Sequence, residues 1–357
     1  MTPPKRAAAR KASGHGPGAH KLNAREDDIK TTHLVFDDNA LVVSLYGPHN
    51  SHLAQIEDAL DVTVHARGNE LSVIGEVHAV DTAAEALRGL YARLEKKLEV
   101  DREEVDAVLR MAETEKGDIR DADLQIKTRK RYISPRSTTQ ADYLRAIDDC
   151  TLVFGIGPAG TGKTYLAVAK AVERLVSGEV ERIILSRPAV EAGEQLGFLP
   201  GDMREKVDPY LRPLYDALYD MLPAEQVVKR LENGEIEVAP LAFMRGRTLA
   251  NAFVILDEAQ NTTAVQMKMF LTRLGEGSRM VITGDLSQVD LPRGTRSGLR
   301  DAVDVLEITE GVGFIHFSKK DVVRNPLVTH IVEAYDIAEK KRKASAPYEH
   351  RNGGDTD

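Results

Sequence analysis

Leu152-Val-Phe-Gly-Ile156 leads directly into Gly157-Pro-Ala-Gly-Thr-Gly162-Lys163-Thr164, and a helical apolar period follows over residues 165–175. The middle segment fits the pattern G-x-x-x-x-G-K-[ST] and has the strand before it and the helix after it that this pattern requires. Glycines let the backbone curl until successive N–H groups point inward, and the helix adds the positive end of its dipole. The stretch therefore predicts a phosphate-binding loop.

The residue types in this loop define the chemistry expected of it. We expect the Lys163 ammonium to reach the β- and γ-phosphates of a nucleotide and the Thr164 hydroxyl to ligate Mg²⁺. A chance match in a glycine-rich turn is the alternative. The nucleotide-binding residues predicted here are Gly157, Pro158, Ala159, Gly160, Thr161, Gly162, Lys163, Thr164 and Tyr165.

Apolar runs separated by helical stretches surround the loop. Near-continuous runs of this kind indicate a parallel sheet with helices on both faces. The sequence therefore predicts an α/β P-loop NTPase domain over residues 136–336. The runs occupy residues 152–156, 182–185, 253–256, 280–282 and 314–317.

A second motif, Asp257-Glu258-Ala-Gln-Asn261, follows one of the apolar runs and so lies at the tip of a buried strand. Ligands bind at the carboxyl ends of strands in such sheets. Asp257 is predicted to hold Mg²⁺, and Glu258 is predicted to act as general base on the attacking water. The adjacent glutamate favours a hydrolase over a small-molecule kinase. An Asp-Glu pair that caps a helix is the alternative.

A third motif, Gly284-Asp285-Leu-Ser-Gln288, follows another apolar run. Asp285 or Gln288 is predicted to sense the γ-phosphate or to position the water, and we assign Gln288 to the catalytic set. An Asp that only caps the next turn is the alternative.

The rest of the chain divides by composition and pattern. Residues 1–30 read as a disordered basic tail, for which an RNA-contacting arm or an organellar transit peptide is a lower-ranked alternative. Residues 31–100 read as a small α+β module with strands at 33–36, 41–45, 62–66 and 71–74 and a helix over 81–100. Residues 101–135 read as a linker that consists of an acidic helix followed by a basic stretch at 127–131, and residues 337–357 read as a disordered tail.

The module at 31–100 has two interpretations. One is a KH-type RNA-binding domain, in which a Gly-x-x-Gly loop grips backbone phosphates. Gly47-Pro-His-Asn50 lacks the second glycine, which weakens that interpretation. An assembly or scaffold domain is the other.

Composition excludes several classes of protein. The chain has 48 Lys+Arg against 56 Asp+Glu and a net charge of −8, in the ordinary range for a soluble globular protein. It lacks a run of about 18 apolar residues that would span a membrane. A single cysteine, Cys150, rules out an intrachain disulfide. We expect no membrane partner and a cytoplasmic location.

The motifs also carry a family resemblance. Residues 257–260 and 284–288 resemble motifs II and III of superfamily 1 helicases, and so imply a RecA-like core. With four further segments they resemble the PhoH family of phosphate-starvation-inducible ATPases, in the form without a PIN nuclease. The likeness covers residues 130–335 closely. The further segments are Ser186-Arg-Pro-Ala-Val-Glu-Ala-Gly-Glu194, Leu196-Gly-Phe-Leu-Pro-Gly-Asp202, Arg245-Gly-Arg-Thr248 and Asp321-Val-Val-Arg324.

The resemblance implies further roles. Gln140 resembles the helicase glutamine that reads adenine, which implies ATP. Arg324 resembles the arginine that contacts the γ-phosphate, with a surface ion pair as the alternative; Asn325 follows it where the family often has His. Arg187, Arg245 and Arg247 are implied to contact a neighbouring subunit's phosphate or nucleic acid.

These features predict a Mg²⁺-dependent ATPase coupled to RNA metabolism. The chain holds one phosphate loop where a monomeric superfamily 1 helicase has two cores, so we expect a homo-oligomer, suspected to be a hexameric ring. An ATP-regulated scaffold for an endoribonuclease or a ribosome-associated partner is the alternative, and a small-molecule phosphotransferase ranks below both. Aromatic residues are 5% of the chain and tryptophan is absent, so no RNA-stacking platform is predicted.

Overall fold

A computed structural model describes residues 29–112, 124–188, 203–292 and 294–323, with the isolated positions 331, 334 and 337. Almost all of the predicted tails, residues 1–28 and 338–357, lie outside these ranges. So do Arg324, Asn325 and the segment around Asp202.

The N-terminal module is an antiparallel sheet covered by helices. Its strands lie in the order β1-β3-β2, and its core also takes in Val105, Val108 and Leu109 of α4. The acidic helix predicted at the start of the linker is therefore present as α4, and it packs on this module. The elements are β1 (Ile29–Val35), α1 (Asn39–Tyr46), α2 (Ser51–Leu60), β2 (Thr63–Arg67), β3 (Glu70–Glu76), α3 (Val77–Glu95) and α4 (Arg102–Ala112).

The strand predicted at residues 41–45 is wrong, because these residues lie in α1. The Asp38 side chain accepts a hydrogen bond of 2.7 Å from the Ala40 amide and so starts a helix at this point. Val42 and Leu45 are the buried residues of that helix, and their spacing of three places both on one helical face. The strands predicted at residues 62–66 and 71–74 are confirmed as β2 and β3, which pair antiparallel.

The larger domain is built on six parallel strands in the order β11-β6-β10-β9-β7-β8, within the part of the chain that the structure describes. This confirms the predicted α/β fold, and each predicted apolar run overlaps a strand. The sequence patterns missed β8, a short edge strand that ends at a proline. The elements are β4 (Ile126–Lys127), β5 (Tyr132–Ile133), α5 (Thr138–Asp149), β6 (Leu152–Ile156), α6 (Lys163–Ser177), β7 (Arg182–Arg187), α7 (Met203–Met221), α8 (Ala224–Glu232), β8 (Ile236–Pro240), β9 (Ala252–Leu256), α9 (Ala264–Leu271), β10 (Arg279–Gly284), α10 (Gly298–Leu306) and β11 (Val312–His316).

Both faces of the large sheet are covered. Val153 of β6 packs in a cluster with side chains of α5, α6, α7 and α8. Its neighbour Phe154 packs in a second cluster with side chains of α9 and α10. Successive strand residues point to opposite faces of the sheet, so the residues that face either side must be apolar. Within the described ranges, no helix is long and apolar enough to cross a membrane.

Candidate nucleotide site

The phosphate loop connects β6 to α6 at the carboxyl edge of the sheet. Gly160 has φ +84° and Gly162 has φ +80°, a conformation that residues with a side chain rarely adopt. These two residues turn the loop back so that α6 begins at Lys163. The N-terminus of a helix of 15 residues therefore opens directly beneath the loop, which is an arrangement that suits a phosphate.

Lys163 lies inside the loop and is 7% exposed. Its Nζ donates hydrogen bonds of 2.7 Å to the carbonyl oxygens of both Gly157 and Pro158. It also lies 3.2 Å from Thr161 Oγ1. The ammonium is thus held within the concavity of the loop, by oxygens that phosphate oxygens are able to replace.

Asp257 follows β9 and lies beside the first turn of α6. Its Oδ1 accepts hydrogen bonds from Thr164 Oγ1 at 2.6 Å and from Thr283 Oγ1 at 2.7 Å. The Asp257 amide donates to the Ser186 carbonyl at 2.9 Å, which fixes the backbone at the strand tip. Sequence reasoning missed Thr283, which lies inside β10 and reads as an ordinary strand residue.

The pair Thr164 and Asp257 fits a Mg²⁺ site, because a hydroxyl and a carboxylate oxygen are donors that this hard cation prefers. In the described residues, no three His, Cys, Asp or Glu side chains come together in a way that could hold a metal ion. A cation here would therefore take its remaining ligands from phosphate oxygens and water, as Mg²⁺ does in nucleotide sites.

Glu258 has both carboxylate oxygens engaged. Oε1 lies 3.0 Å from Arg187 Nη2, and Oε2 accepts a hydrogen bond of 2.5 Å from Gln260 Nε2. The backbone of Glu258 has φ +52°, a sparsely populated conformation for a residue with a side chain.

The third motif joins the second through Gln260. The Asp285 amide donates to Gln260 Oε1 at 3.0 Å, so one side chain spans the tips of β9 and β10. Asp285 Oδ1 accepts from the amide and the hydroxyl of Ser287 at 2.9 and 2.6 Å. Asp285 thus caps the turn through Oδ1, and both Asp285 and Gln288 lie on the wall of the cavity. The role of either residue at the γ-phosphate stays a prediction.

These side chains surround one cavity of about 800 Å³. A second cavity of about 360 Å³ also borders the loop and shares Gly160, Gly162, Tyr165 and Asp220 with the first. The fold thus gathers most of the predicted site residues around one opening. Those lining the first cavity are Ala159, Gly160, Gly162, Lys163, Thr164, Tyr165, Asp257, Glu258 and Gln288.

Gln140 lines the second cavity and is 4% exposed. Its Oε1 accepts from the Arg136 amide at 2.6 Å, and its Nε2 donates to the Thr161 carbonyl at 2.9 Å. The amide therefore ties the start of α5 to the phosphate loop. Its role as a reader of adenine stays a prediction.

Tyr165 and Asp220 form a contact that sequence reasoning did not foresee. The Tyr165 hydroxyl donates to Asp220 Oδ2 at 2.7 Å, and Arg131 lies 2.7 Å from Asp220 Oδ1. Burial, followed by the hydrogen bond to Asp220, raises the pKa of Tyr165 to about 12. The basic stretch at residues 127–131 marks Arg131 in the sequence as a candidate ligand-contacting residue, whereas nothing in the sequence singles out Asp220.

The candidate arginines separate in space. Arg187 lines the first cavity, whereas Arg247 makes two hydrogen bonds to Glu237 at 2.6 and 2.7 Å, and Arg245 is exposed. Arg324 lies outside the described residues. The Val323 amide donates to the Gly160 carbonyl at 3.0 Å, so the chain contacts the phosphate loop one residue before Arg324.

A parallel sheet, a glycine loop that opens a helix, and an Asp-Glu pair at a neighbouring strand tip together define a P-loop NTPase. The family model of PhoH-like protein matches residues 132–336. The chain belongs to the PhoH family.

Relatives support this membership. The PhoH-like protein of Bacillus subtilis is 50% identical over 298 residues, 82% of this chain and 93% of that protein. The PhoH-like protein of Mycobacterium tuberculosis H37Rv is 50% identical over 321 residues, 89% of this chain and 91% of that protein. Protein PhoH of Escherichia coli K12 is 52% identical over 205 residues, 57% of this chain and 58% of that protein.

Among solved structures, the chain is similar to a Sulfolobus solfataricus SWI2/SNF2 ATPase core in complex with dsDNA. The TM-score is 0.34 at 12% identity, covering 63% of this chain and 56% of that one. A TM-score this low carries no functional information.

Proposed function

We propose that this protein is a Mg²⁺-dependent ATPase, coupled to RNA metabolism and acting as a ring-shaped homo-oligomer in the cytoplasm. The observation that carries the ATPase proposal is the convergence of Lys163, Thr164, Asp257 and Glu258 on one cavity. The RNA and oligomer parts rest on the family resemblance, on the module at 31–100 and on the single phosphate loop.

The proposed reaction is an in-line displacement at the γ-phosphate. A water oxygen forms a bond to the γ-phosphorus while the bond from that phosphorus to the β–γ bridging oxygen breaks, which gives ADP and inorganic phosphate. Glu258 orients the water and accepts its proton. Lys163 stabilises the charge that develops on the transferred group.

Thr164 and Asp257 would hold a bound Mg²⁺ ion, and that ion would neutralise phosphate charge. The residues themselves bind and orient the substrate: loop amides face the phosphates, and the α6 N-terminus adds its dipole. Tyr165 and Gln140 line the second cavity. We assign this cavity to the nucleoside, since the first one holds the phosphate chemistry.

Two substitutions test the assignment. Lys163→Ala is expected to abolish ATP binding, because it removes the cation at the centre of the loop. Glu258→Gln is expected to bind ATP but to lower kcat by about 10²–10⁴-fold, the usual contribution of a general base. Binding is measured by calorimetry and turnover by phosphate release, with and without EDTA.

Glu310→Gln, a change at an exposed glutamate, serves as the matched control and is expected to behave as wild type. Normal turnover by Glu258→Gln would contradict the base assignment. Full ATP binding by Lys163→Ala would contradict the phosphate-loop assignment.

A further inference from the structure

Arg187 ends β7 and lines the same cavity as the phosphate loop. β7 and β9 are paired in parallel with Ser186 opposite Leu256. The two strands therefore end at the same level of the sheet, and Arg187 lies beside the Asp257–Glu258 turn. Sequence reasoning assigned Arg187 to a neighbouring subunit's phosphate or to nucleic acid, whereas the fold places it within its own subunit's site.

Arg187 forms an ion pair there with Glu258, the proposed base. The distance from Arg187 Nη2 to Glu258 Oε1 is 3.0 Å, and the two side chains are 22% and 35% exposed. Gln260 holds the other carboxylate oxygen. A carboxylate bound by a guanidinium and an amide is a poorer hydrogen-bond acceptor for water, so this arrangement holds Glu258 in a resting state.

A γ-phosphate in the cavity competes for the guanidinium. Arginine binds phosphate oxygens through planar, paired hydrogen bonds, and a terminal phosphate offers three acceptor oxygens and more negative charge than the single carboxylate of Glu258. ADP lacks the terminal phosphate and offers no comparable partner. ATP and ADP therefore differ in their ability to draw Arg187 away from Glu258.

We propose that Arg187 exchanges Glu258 for the γ-phosphate when ATP binds, so that recognition of ATP releases the base to orient the attacking water. Arg187 then senses the terminal phosphate and also controls Glu258. This inference rests on the proposed ATPase function and adds a residue that distinguishes substrate from product.

The test compares the affinities for ATP and ADP, measured without turnover. The dissociation constants of a non-hydrolysable ATP analogue and of ADP are determined for wild type, Arg187→Ala and Arg187→Lys. Loss of a hydrogen bond to a charged group corresponds to about 10–100-fold. Arg187→Ala is expected to weaken analogue binding by that factor and to leave ADP binding unchanged, and Arg187→Lys to restore part of the loss.

A double-mutant cycle tests the exchange itself. Glu258→Gln removes the resting partner of Arg187, so it is expected to tighten analogue binding several-fold without changing ADP binding. That gain is expected to disappear in the Arg187→Ala, Glu258→Gln double variant. Arg300→Ala, at an exposed arginine on α10, is the matched control, and melting temperatures establish that each variant is folded.

Equal losses for the analogue and ADP would overturn the proposal in favour of a structural role for Arg187. A raised kcat in Arg187→Ala with an unchanged affinity ratio would overturn it in favour of a simple inhibitory clamp. The affinity ratio reports on Arg187 even if wild type hydrolyses no ATP. Failure of the ATPase proposal is therefore distinguishable from failure of this one.

Discussion

At the scale of single residues, Asp257 joins three segments that are far apart in sequence. Its Oδ1 accepts hydrogen bonds from Thr164 on α6 and from Thr283 on β10. Thr283 is completely buried. Its hydroxyl lies 2.7 Å from the Asp257 carboxylate and 3.4 Å from the Leu256 carbonyl, so the shorter hydrogen bond goes to the carboxylate and aims it. The proposed metal ligand is thus oriented by a residue that does not reach the cavity.

Thr283→Val tests this orienting role, because valine keeps the shape and removes the hydroxyl. The loss of this hydrogen bond, which is made to a charged group, is expected to cost about 1.5–3 kcal/mol of the free energy of Mg²⁺ binding. It should appear as a higher Mg²⁺ concentration for half-maximal turnover. Activity is measured over a Mg²⁺ titration, with Thr309→Val, a change at an exposed threonine, as the control. An unshifted titration curve for Thr283→Val would mean that Asp257 does not need the Thr283 hydroxyl as a partner.

At the scale of elements, Asp321 connects the turn after β11 to the start of α5. Its Oδ1 accepts from Ser137 Oγ at 2.8 Å. Its Oδ2 accepts from the Ser318 amide and hydroxyl at 2.7 and 3.0 Å. Asp321 is 5% exposed, and the same turn carries Val323, whose amide bonds to the phosphate loop.

Asp321→Ala is expected to lower the free energy of unfolding by about 1–3 kcal/mol, because it leaves the hydroxyl of the buried Ser137 without its acceptor. It should also weaken ATP binding, since the turn supports the loop at Gly160. Urea denaturation and calorimetry measure the two effects. Asp304→Ala, at an exposed ion pair with Arg296, is expected to change stability by less than about 1 kcal/mol. Equal losses of stability and of ATP binding in Asp321→Ala and Asp304→Ala would show that Asp321 does not support the phosphate loop.

At the scale of the whole molecule, contacts run from the N-terminal module to the phosphate loop. Arg93 of α3 donates to Ser134 Oγ at 3.2 Å, and Glu103 of α4 pairs with Arg136 at 2.7 Å. The Arg136 amide donates to Gln140, which donates to the Thr161 carbonyl in the loop. The module is therefore connected to the nucleotide site through a continuous set of contacts.

If the module binds RNA, single-stranded RNA is expected to raise the ATPase rate of the full chain several-fold. The effect should fall with salt, because phosphate contacts release counterions. Steady-state phosphate release is measured over RNA and salt titrations. Heparin, a polyanion without bases, is the control. Stimulation by RNA but not by heparin would indicate recognition of RNA and not attraction by charge alone. An unchanged rate over varied RNA sequences would favour the ATP-regulated scaffold instead.

The sequence by itself determined the phosphate loop, most of the strands and the Asp257–Glu258 pair. Each of these depends on neighbouring residues: glycines at fixed spacing, a continuous apolar run, and acids directly after it. Local pattern failed at residues 41–45, where an apolar run fits either a strand or a helix, and burial of Val42 and Leu45 on one face selected the helix.

Only the tertiary structure decided which strand tips meet. Sheet order placed Arg187 beside Glu258 and Thr283 against Asp257. Packing of α5 and α7 brought Gln140 and Asp220 to the loop. These partners lie tens of residues apart or more in the chain, and no local pattern encodes the register that pairs them, because register is set by the burial of whole faces.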